Sequence, residues 1–329
     1  MSALADLAAR LAAHPHVTGK RAVGVACAGL GLTPESPGRP GDDAAAWPDG
    51  AGWQLMATEG FMNELVAGAP WFAGWCAVMV NLSDIAAMGG RPTALTNALW
   101  APDAEQAAAI LKGLREAGAA YGVPIVGGHI NLTTDRPQLA ATIWGRATAL
   151  ITSFDACPGD VLIAAVDHRG AYAGESAHFP AFLNAPFARL RGDLELLPCL
   201  AEAGLVRAGK DISQGGIAGT ALMLGECSGV GIEIEPERIP RPAAAPLERW
   251  MVTFPSFGFL LAARPAHAPG VCARFRARDV AAAPIGRVTA GSTLSLVADV
   301  ERAVIWDYAE TPYLGLGASP VAEPEPAHA

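Results

Sequence analysis

Three acid-bearing stretches and a glycine-rich fourth lie within the first 131 residues. They are Gly41-Asp42-Asp43-Ala44-Ala45, Ala57-Thr58-Glu59-Gly60, Asn81-Leu82-Ser83-Asp84-Ile85-Ala86-Ala87-Met88-Gly89 and Gly127-Gly128-His129-Ile130-Asn131. Each polar group sits among small or apolar residues, where a carboxylate that merely meets water is unusual. Carboxylates gathered among small residues hold hard divalent cations, and Mg²⁺ in that setting is commonly shared with the phosphates of a nucleotide. The pattern predicts a metal–nucleotide ligand.

Singly, each stretch has an ordinary explanation. Asp42 and Asp43 in a Gly/Pro loop read as turn chemistry, Glu59 as a strand-end acid, and Asp84 as a polar residue near a helix end. His129 alone reads as a hydrogen-bonded core histidine. Asp84 is the least ordinary, because nearly every neighbour from Val78 to Met88 is apolar and a carboxylate there needs a partner. A fifth stretch, Lys210-Asp211-Ile212-Ser213-Gln214-Gly215-Gly216, leads into a helical pattern whose N-terminus can receive anionic oxygen; simple capping by Ser213 is the alternative. The chain has no P-loop, protein-kinase signature or Gly-x-Ser-x-Gly elbow.

The elements that must position these groups follow from periodicity. Leu4, Leu7 and Leu11 predict a helix over about 3–13, and residues 29–52 read as a long loop presenting Asp42 and Asp43. A strand from Trp53 to Thr58 delivers Glu59. A helix starts at Pro70 and runs to about Met88, with Asn81 and Asp84 on one face and Val78, Leu82 and Ile85 inward. Thr93–Trp100 reads as a strand, and Asp103 caps a helix to Tyr121. Pro124–Val126 reads as a short buried strand entering Gly127-Gly128, and Gln138–Thr148 as another strand. Later strands are predicted at Val161–Val166, Val230–Ile234 and near 257–263, 282–288 and 293–299, with helices over Leu194–Gly204 and from Ser213 to about Glu226. The order indicates an α/β (α+β) chain of two domains, 1–150 and 151–311, with 312–329 a disordered tail.

Composition narrows the class. The 329 residues are 51% hydrophobic and 17% charged, with 37 glycines and 26 prolines, the profile of a loop-rich globular enzyme. A formal net charge of −9 argues against nucleic acid or an anionic membrane as partner. The six cysteines are scattered without a Cys-x-x-Cys pair, so neither a zinc site nor a disulfide framework is indicated. The run from Trp71 to Met88 contains Asn81, Ser83 and Asp84 and makes a poor membrane span. Asp6 and Arg10 interrupt the N-terminal apolar stretch, unlike a secretory leader. A cytoplasmic protein is expected.

The order and spacing of the five stretches together resemble the PurM-like superfamily of aminoimidazole ribonucleotide (AIR) synthase, thiamine-monophosphate kinase, selenophosphate synthetase and the hydrogenase-maturation carbamoyl dehydratase, over roughly residues 20–300. Gly-Asp-Asp-Ala-Ala and Asn-Leu-Ser-Asp-Ile-Ala-Ala-Met-Gly look like the kinase, Gly127-Gly128-His129 like selenophosphate synthetase, and Asp211–Gly216 with Ser228-Gly229-Val230-Gly231 like the hydrogenase-maturation enzyme. The mixture points to an AIR-synthase-related subfamily of its own.

The resemblance implies an N-terminal α/β domain that pairs with a second copy in a barrel-like homodimer, a C-terminal α/β domain, and ATP held through Mg²⁺. It assigns Asp42, Thr58, Glu59, Asp84 and Asp211 to metal, with Asp43 supporting and with Asp42, Asp84 and Asp211 central to catalysis. Thr58, Gly127, Gly128, His129, Asn131, Ser213 and Gln214 are assigned to the nucleotide. The implied reaction is phosphoryl transfer to, or phosphate activation of, a small-molecule acceptor; the competing expectation is a nucleotide-binding regulatory or partner protein without turnover.

Departures from the relatives bear on the acceptor. Glu59 stands where relatives commonly carry Asp, and His129 and Gln214 replace acids of the kinase. Ser256-Phe257-Gly258-Phe259-Leu260-Leu261 replaces a polar segment of that kinase, which argues against thiamine monophosphate. Cys27 is not followed by lysine and the chain has no terminal cysteine, against the chemistry of the other two relatives.

Overall fold

The computed structural model of the chain describes residues 2–172, 174 and 176–317. Its helices are α1 (Ala3–Ala13), α2 (Pro15–Gly19), α3 (Ala22–Gly29), α4 (Asn63–Gly68), α5 (Pro70–Ala87), α6 (Ala104–Tyr121), α7 (Phe187–Leu194), α8 (Leu196–Glu202), α9 (Gly216–Ser228), α10 (Leu247–Met251) and α11 (Ala268–Arg276). Its strands are β1 (Ala45–Asp49), β2 (Gly52–Phe61), β3 (Arg91–Trp100), β4 (Ile125–Asn131), β5 (Gln138–Ala147), β6 (Val161–Val166), β7 (His178–Phe179), β8 (Ala208–Asp211), β9 (Gly231–Ile234), β10 (Phe254–Pro255), β11 (Gly258–Ala263), β12 (Ala281–Thr289), β13 (Thr293–Ala298) and β14 (Glu301–Asp307). They form two compact units. One holds Asp43–Leu150 with Asn184–Glu202; the other holds the described residues of Met1–Asp42, Ile151–Leu183 and Ala203–Ala329.

The first unit is a five-stranded sheet in the order β1-β2-β5-β3-β4, antiparallel except for the β3–β4 pair. One face is covered by α5 and α6. Helix α5 is apolar nearly all round, and every residue from Ala73 to Ala87 is buried, more than an amphipathic reading predicts. Two glycines permit this. A Cβ on Gly113 of α6 would lie 2.0 Å from the Trp71 carbonyl oxygen, and one on Gly74 2.1 Å from that of Ile110. The two helix backbones therefore touch. The Asp103 carboxylate accepts from the Gln106 amide at 2.8 Å and caps α6, as its position in the sequence predicts.

Two elements depart from the sequence reading. Strand β1 emerges from the expected loop, pairing Ala45 with Met56; its Pro48 is tolerated because β1 is an edge strand. Strand β4 runs through Gly127-Gly128 to Asn131 and, as the opposite edge, is exposed from Val126 onward instead of short and buried. Gly128 lets it approach β3, since a Cβ there would lie 2.4 Å from the Asn97 carbonyl oxygen.

Helices α7 and α8 complete this unit from far along the chain. Arg91 Nε, at the start of β3, donates to both Glu195 oxygens at 2.9 and 3.1 Å, and Arg191 Nε donates to the Ala120 carbonyl at the end of α6.

The other unit is a seven-stranded sheet in the order β14-β13-β9-β12-β6-β11-β8. Leu7, Leu11 and Val17 of α1 and α2 share its core with Ile217 and Leu222 of α9, Trp250 of α10 and Ile285 of β12. The units do divide between Leu150 and Ile151, but residues 1–42 and 184–202 each pack with the other half of the sequence. Tyr313, Leu314 and Leu316, assigned above to a loose tail, are buried. The Glu226 carboxylate on α9 accepts from the amides of Tyr313, Leu314 and Gly315 at 2.8, 2.6 and 3.3 Å. The rest of that tail, 318–329, lies outside the described residues.

Candidate metal and nucleotide site

In the five-stranded unit the structure brings together Asp43 and Asp84. A carboxylate oxygen of each lies within 4.8 Å of the other. Asp84 is only 6% exposed. It sits one turn before the end of α5, where the backbone carbonyls concentrate negative partial charge. Burial, the helix end and a second carboxylate all raise the energy of a charged Asp84. A divalent cation would offset all three, so the donor set fits a hard, oxygen-liganded ion. Asn81, fully buried on the same helix, donates to the Ala77 carbonyl at 2.8 Å and so acts inside the helix.

The sheet divides the remaining expected residues. Along β2, Leu55 and Ala57 are buried towards α5 and Glu59 shares their parity, whereas Met56 and Thr58 face the opposite, open side. Thr58 Oγ1 lies 2.9 Å from Thr142 Oγ1 on that open face. The ladder then carries Thr142 to Thr96 and Thr96 to Gly127, and Ala98 to His129 and Trp100 to Asn131. Gly127, His129 and Asn131 therefore share the open face with Thr58, and His129 lies beside Trp100 with ring centroids 6.1 Å apart. The side chains of Thr58 and Glu59 do not act together, because consecutive strand residues point to opposite faces.

In the seven-stranded unit Asp211 ends β8 and is 2% exposed. Its carbonyl accepts from Thr220 Oγ1 at 3.2 Å, which ties the strand to α9. Between them, Gly215 and Gly216 have φ of +101° and +62°. A Cβ on Gly216 would lie 2.4 Å from the Met251 carbonyl oxygen, so only glycine fits. Gly215 occupies the cap position of α9 and Ser213 does not cap it. Ser213 Oγ instead accepts from Lys20 Nζ at 2.8 Å, while Gln214 is exposed. Asp42 belongs to this unit too: one of its carboxylate oxygens accepts from both the amide and the hydroxyl of Ser153, at 2.9 and 2.8 Å.

Three residues with contacts here were given no role from the sequence: Lys20, Ser153 and Lys210. Lys210 offered a signal, a lone lysine immediately before Asp211 in the Ala208–Asp211 strand. Ser153 and Lys20 offered none.

An α/β protein of two sheet-based units, with a buried carboxylate and a partly exposed one placed together to suit a hard cation, defines the class. Comparison with known proteins then places it. The profile described as "AIR synthase related protein, N-terminal domain" matches residues 41–147, and that described as "AIR synthase related protein, C-terminal domain" matches 158–299. An uncharacterized protein of Synechocystis is 44% identical over 84% of this chain and 86% of its own length. Thiamine-monophosphate kinase of Synechococcus elongatus is 31% identical over 64% of this chain and 70% of its own. Among solved structures, Thermotoga maritima PurL complexed with ADP superposes with a TM-score of 0.68 at 19% identity, over 86% of this chain and 47% of the PurL chain. AaThiL complexed with AMPPCP and TMP superposes with a TM-score of 0.64 at 22% identity, over 86% of this chain and 94% of that one. The chain belongs to the AIR synthase-related family of the PurM-like superfamily.

Proposed function

We propose that this protein is an ATP- and Mg²⁺-dependent enzyme that transfers a phosphoryl group to an oxygen of a small-molecule acceptor, or activates that oxygen through phosphate. The observation that carries the proposal is the Asp43–Asp84 pair: a buried carboxylate at the wrong end of a helix, with a second carboxylate within 4.8 Å. The relatives named thiamine-monophosphate kinase, and the structures of PurL with ADP and AaThiL with AMPPCP, support a nucleotide as the phosphate source.

In this reading Asp43, Asp84 and Glu59 are metal-binding carboxylates of the five-stranded unit, and Asp211 is one of the seven-stranded unit. Bound Mg²⁺ supplies charge neutralisation for the phosphates and the developing negative charge. Gly128 and the Ser213–Gly216 turn, whose glycines admit close backbone approach, serve the nucleotide with Gln214, and Lys20 adds a cation at Ser213. Thr58, Gly127, His129 and Asn131 lie on the open sheet face, which we assign to a surface covered by a second copy in a homodimer. Two features favour that: β4 is an edge strand, and the face exposes Met56 while carrying Trp100 and Trp144 only half-buried. A monomer at micromolar concentration in light scattering would remove the dimer.

The acceptor segment 256–261 argues for a substrate other than thiamine monophosphate, since Leu260 and Leu261 are fully buried in β11 and present no polar group. The test is ADP release in an acceptor screen, with Mg²⁺ and with EDTA. Mg²⁺-dependent turnover lost in Asp84→Asn is the expected result. ATP binding that persists in EDTA and never yields ADP would replace the enzyme with the nucleotide-binding partner protein.

A further inference from the structure

The Gly41-Asp42-Asp43 loop carries two adjacent acids whose surroundings differ. Asp43 has an oxygen within 4.8 Å of one on Asp84. Asp42 is turned into a network of its own. Ser153, fully buried, donates both its amide and its hydroxyl to one Asp42 oxygen. The Ser153 carbonyl in turn accepts from Ser228 Oγ at 2.8 Å. Lys210 is 4% exposed, and its ammonium donates to the Gly41 carbonyl at 3.2 Å and to Ser153 Oγ at 3.4 Å. The same carbonyl accepts from the Cys227 thiol at 3.6 Å. Gly41 has φ +110°, and a Cβ there would lie 3.0 Å from Cys227 Sγ. A buried ammonium is costly unless its donors are met, and here they are met by the backbone and side chains around this turn.

We propose that the two acids have divided roles: Asp42 is the anchor of the loop, Asp43 is the cation ligand, and Lys210 is a positioning residue that holds the turn from which Asp43 is presented. The proposal rests on the metal site argued above and deepens it. It moves Asp42 from the metal shell, where the family resemblance puts it, to the support behind it. Because Asp43 follows Asp42 directly, fixing the Gly41 carbonyl and the Asp42 carboxylate fixes the backbone that delivers the ligand.

The experiment uses the full chain and two readouts. Melting temperature in EDTA reports the anchor; Mn²⁺ binding, followed by electron paramagnetic resonance well below each variant's melting point, reports the ligand. Asp43→Asn should abolish saturable Mn²⁺ binding while leaving the EDTA melting temperature unchanged or higher. Asp42→Asn should lower that temperature by roughly 5 °C or more while keeping Mn²⁺ stoichiometry, with affinity weakened roughly 10-fold. Lys210→Met should do both, and its weakened Mn²⁺ affinity is the result a merely structural lysine would not give.

Ser153→Ala keeps Lys210 on the Gly41 carbonyl and covers the case in which Asp42→Asn does not fold; it should shift the melting temperature in the same direction by less. Loss of Mn²⁺ stoichiometry in Asp42→Asn, or retained binding in Asp43→Asn, overturns the division of roles. An unchanged Mn²⁺ affinity in Lys210→Met overturns positioning. Should the wild-type chain bind no Mn²⁺, the metal reading and the ligand half fall together, and the EDTA melting temperatures of Asp42→Asn and Ser153→Ala still decide the anchor.

Discussion

Replacing Asp84 by Asn tests the site through stability before any substrate is known. The change keeps volume and shape but removes one of two negative charges whose oxygens lie within 4.8 Å, so the repulsion relieved is about 3 kcal/mol at an effective dielectric constant of about 20. Asp43 is half-exposed, and solvent and salt reduce that to about 1–2 kcal/mol. The unfavourable end of α5 adds a few tenths more in the same direction. Without metal, Asp84→Asn should therefore be more stable than wild type, melting roughly 3–8 °C higher in EDTA. With Mg²⁺ the order reverses. Free Mg²⁺ at about 100 times its Kd stabilises the wild type by about 2.7 kcal/mol, and the variant has lost half of the pair that would bind it. Differential scanning fluorimetry in EDTA and across a Mg²⁺ series, at fixed ionic strength, measures both. A variant that melts below wild type in EDTA, or that keeps the wild-type Mg²⁺ shift, would refute a carboxylate pair built for a cation.

Gly113→Ala would ordinarily stabilise a helix by about 1 kcal/mol, but here the new Cβ would lie 2.0 Å from the Trp71 carbonyl oxygen, so a loss of about 1–3 kcal/mol in urea unfolding is expected. An unchanged or raised midpoint would mean that α5 and α6 do not cross this closely. Glu226→Gln removes the charge that accepts from three backbone amides, and should cost at least about 2 kcal/mol and speed hydrogen exchange at Tyr313–Gly315; protected amides there would contradict it. Burial lowers the pKa of His168 and of His178 below the usual histidine value. The unfolded chain then takes up protons that the folded one resists, so this contribution to stability is present at neutral pH and is lost as pH falls below about 6.5. Each group contributes at most about 1.4 kcal/mol per pH unit. Unfolding midpoints that stay flat from pH 7.5 to 5.5, or rise on acidification, would refute it.

Much of the fold was legible because it is written in local patterns. The Pro70 start of α5, the Asp103 cap of α6 and the apolar runs of β6 and β11 all lie where the periodicity and capping residues put them. Edge strands β1 and β4 were harder to read, because Pro48 and Gly127-Gly128 are turn residues by composition and become strand only when a neighbour supplies the ladder. The membership of two segments was also out of reach: whether residues 1–42 or 184–202 pack with the nearer or farther part of the chain depends on long-range contacts such as Leu11 with the α9 core and Arg91 with Glu195.

The site divides in the same way. The acids themselves, and the chemistry that carboxylates among small residues can do, follow from residue type and spacing. Which of two adjacent aspartates faces another carboxylate and which one faces Ser153, that Thr58 and Glu59 point to opposite faces of β2, and that Lys210 lies buried against the Gly41 carbonyl, were decided only by tertiary structure. The physical reason is range. Helix and strand periods are set by hydrogen bonds and side chains a few residues apart, whereas the partner of a partly buried carboxylate is recruited from 111 positions away in the case of Asp42 and Ser153, and that of a buried ammonium from 169 in the case of Lys210 and Gly41.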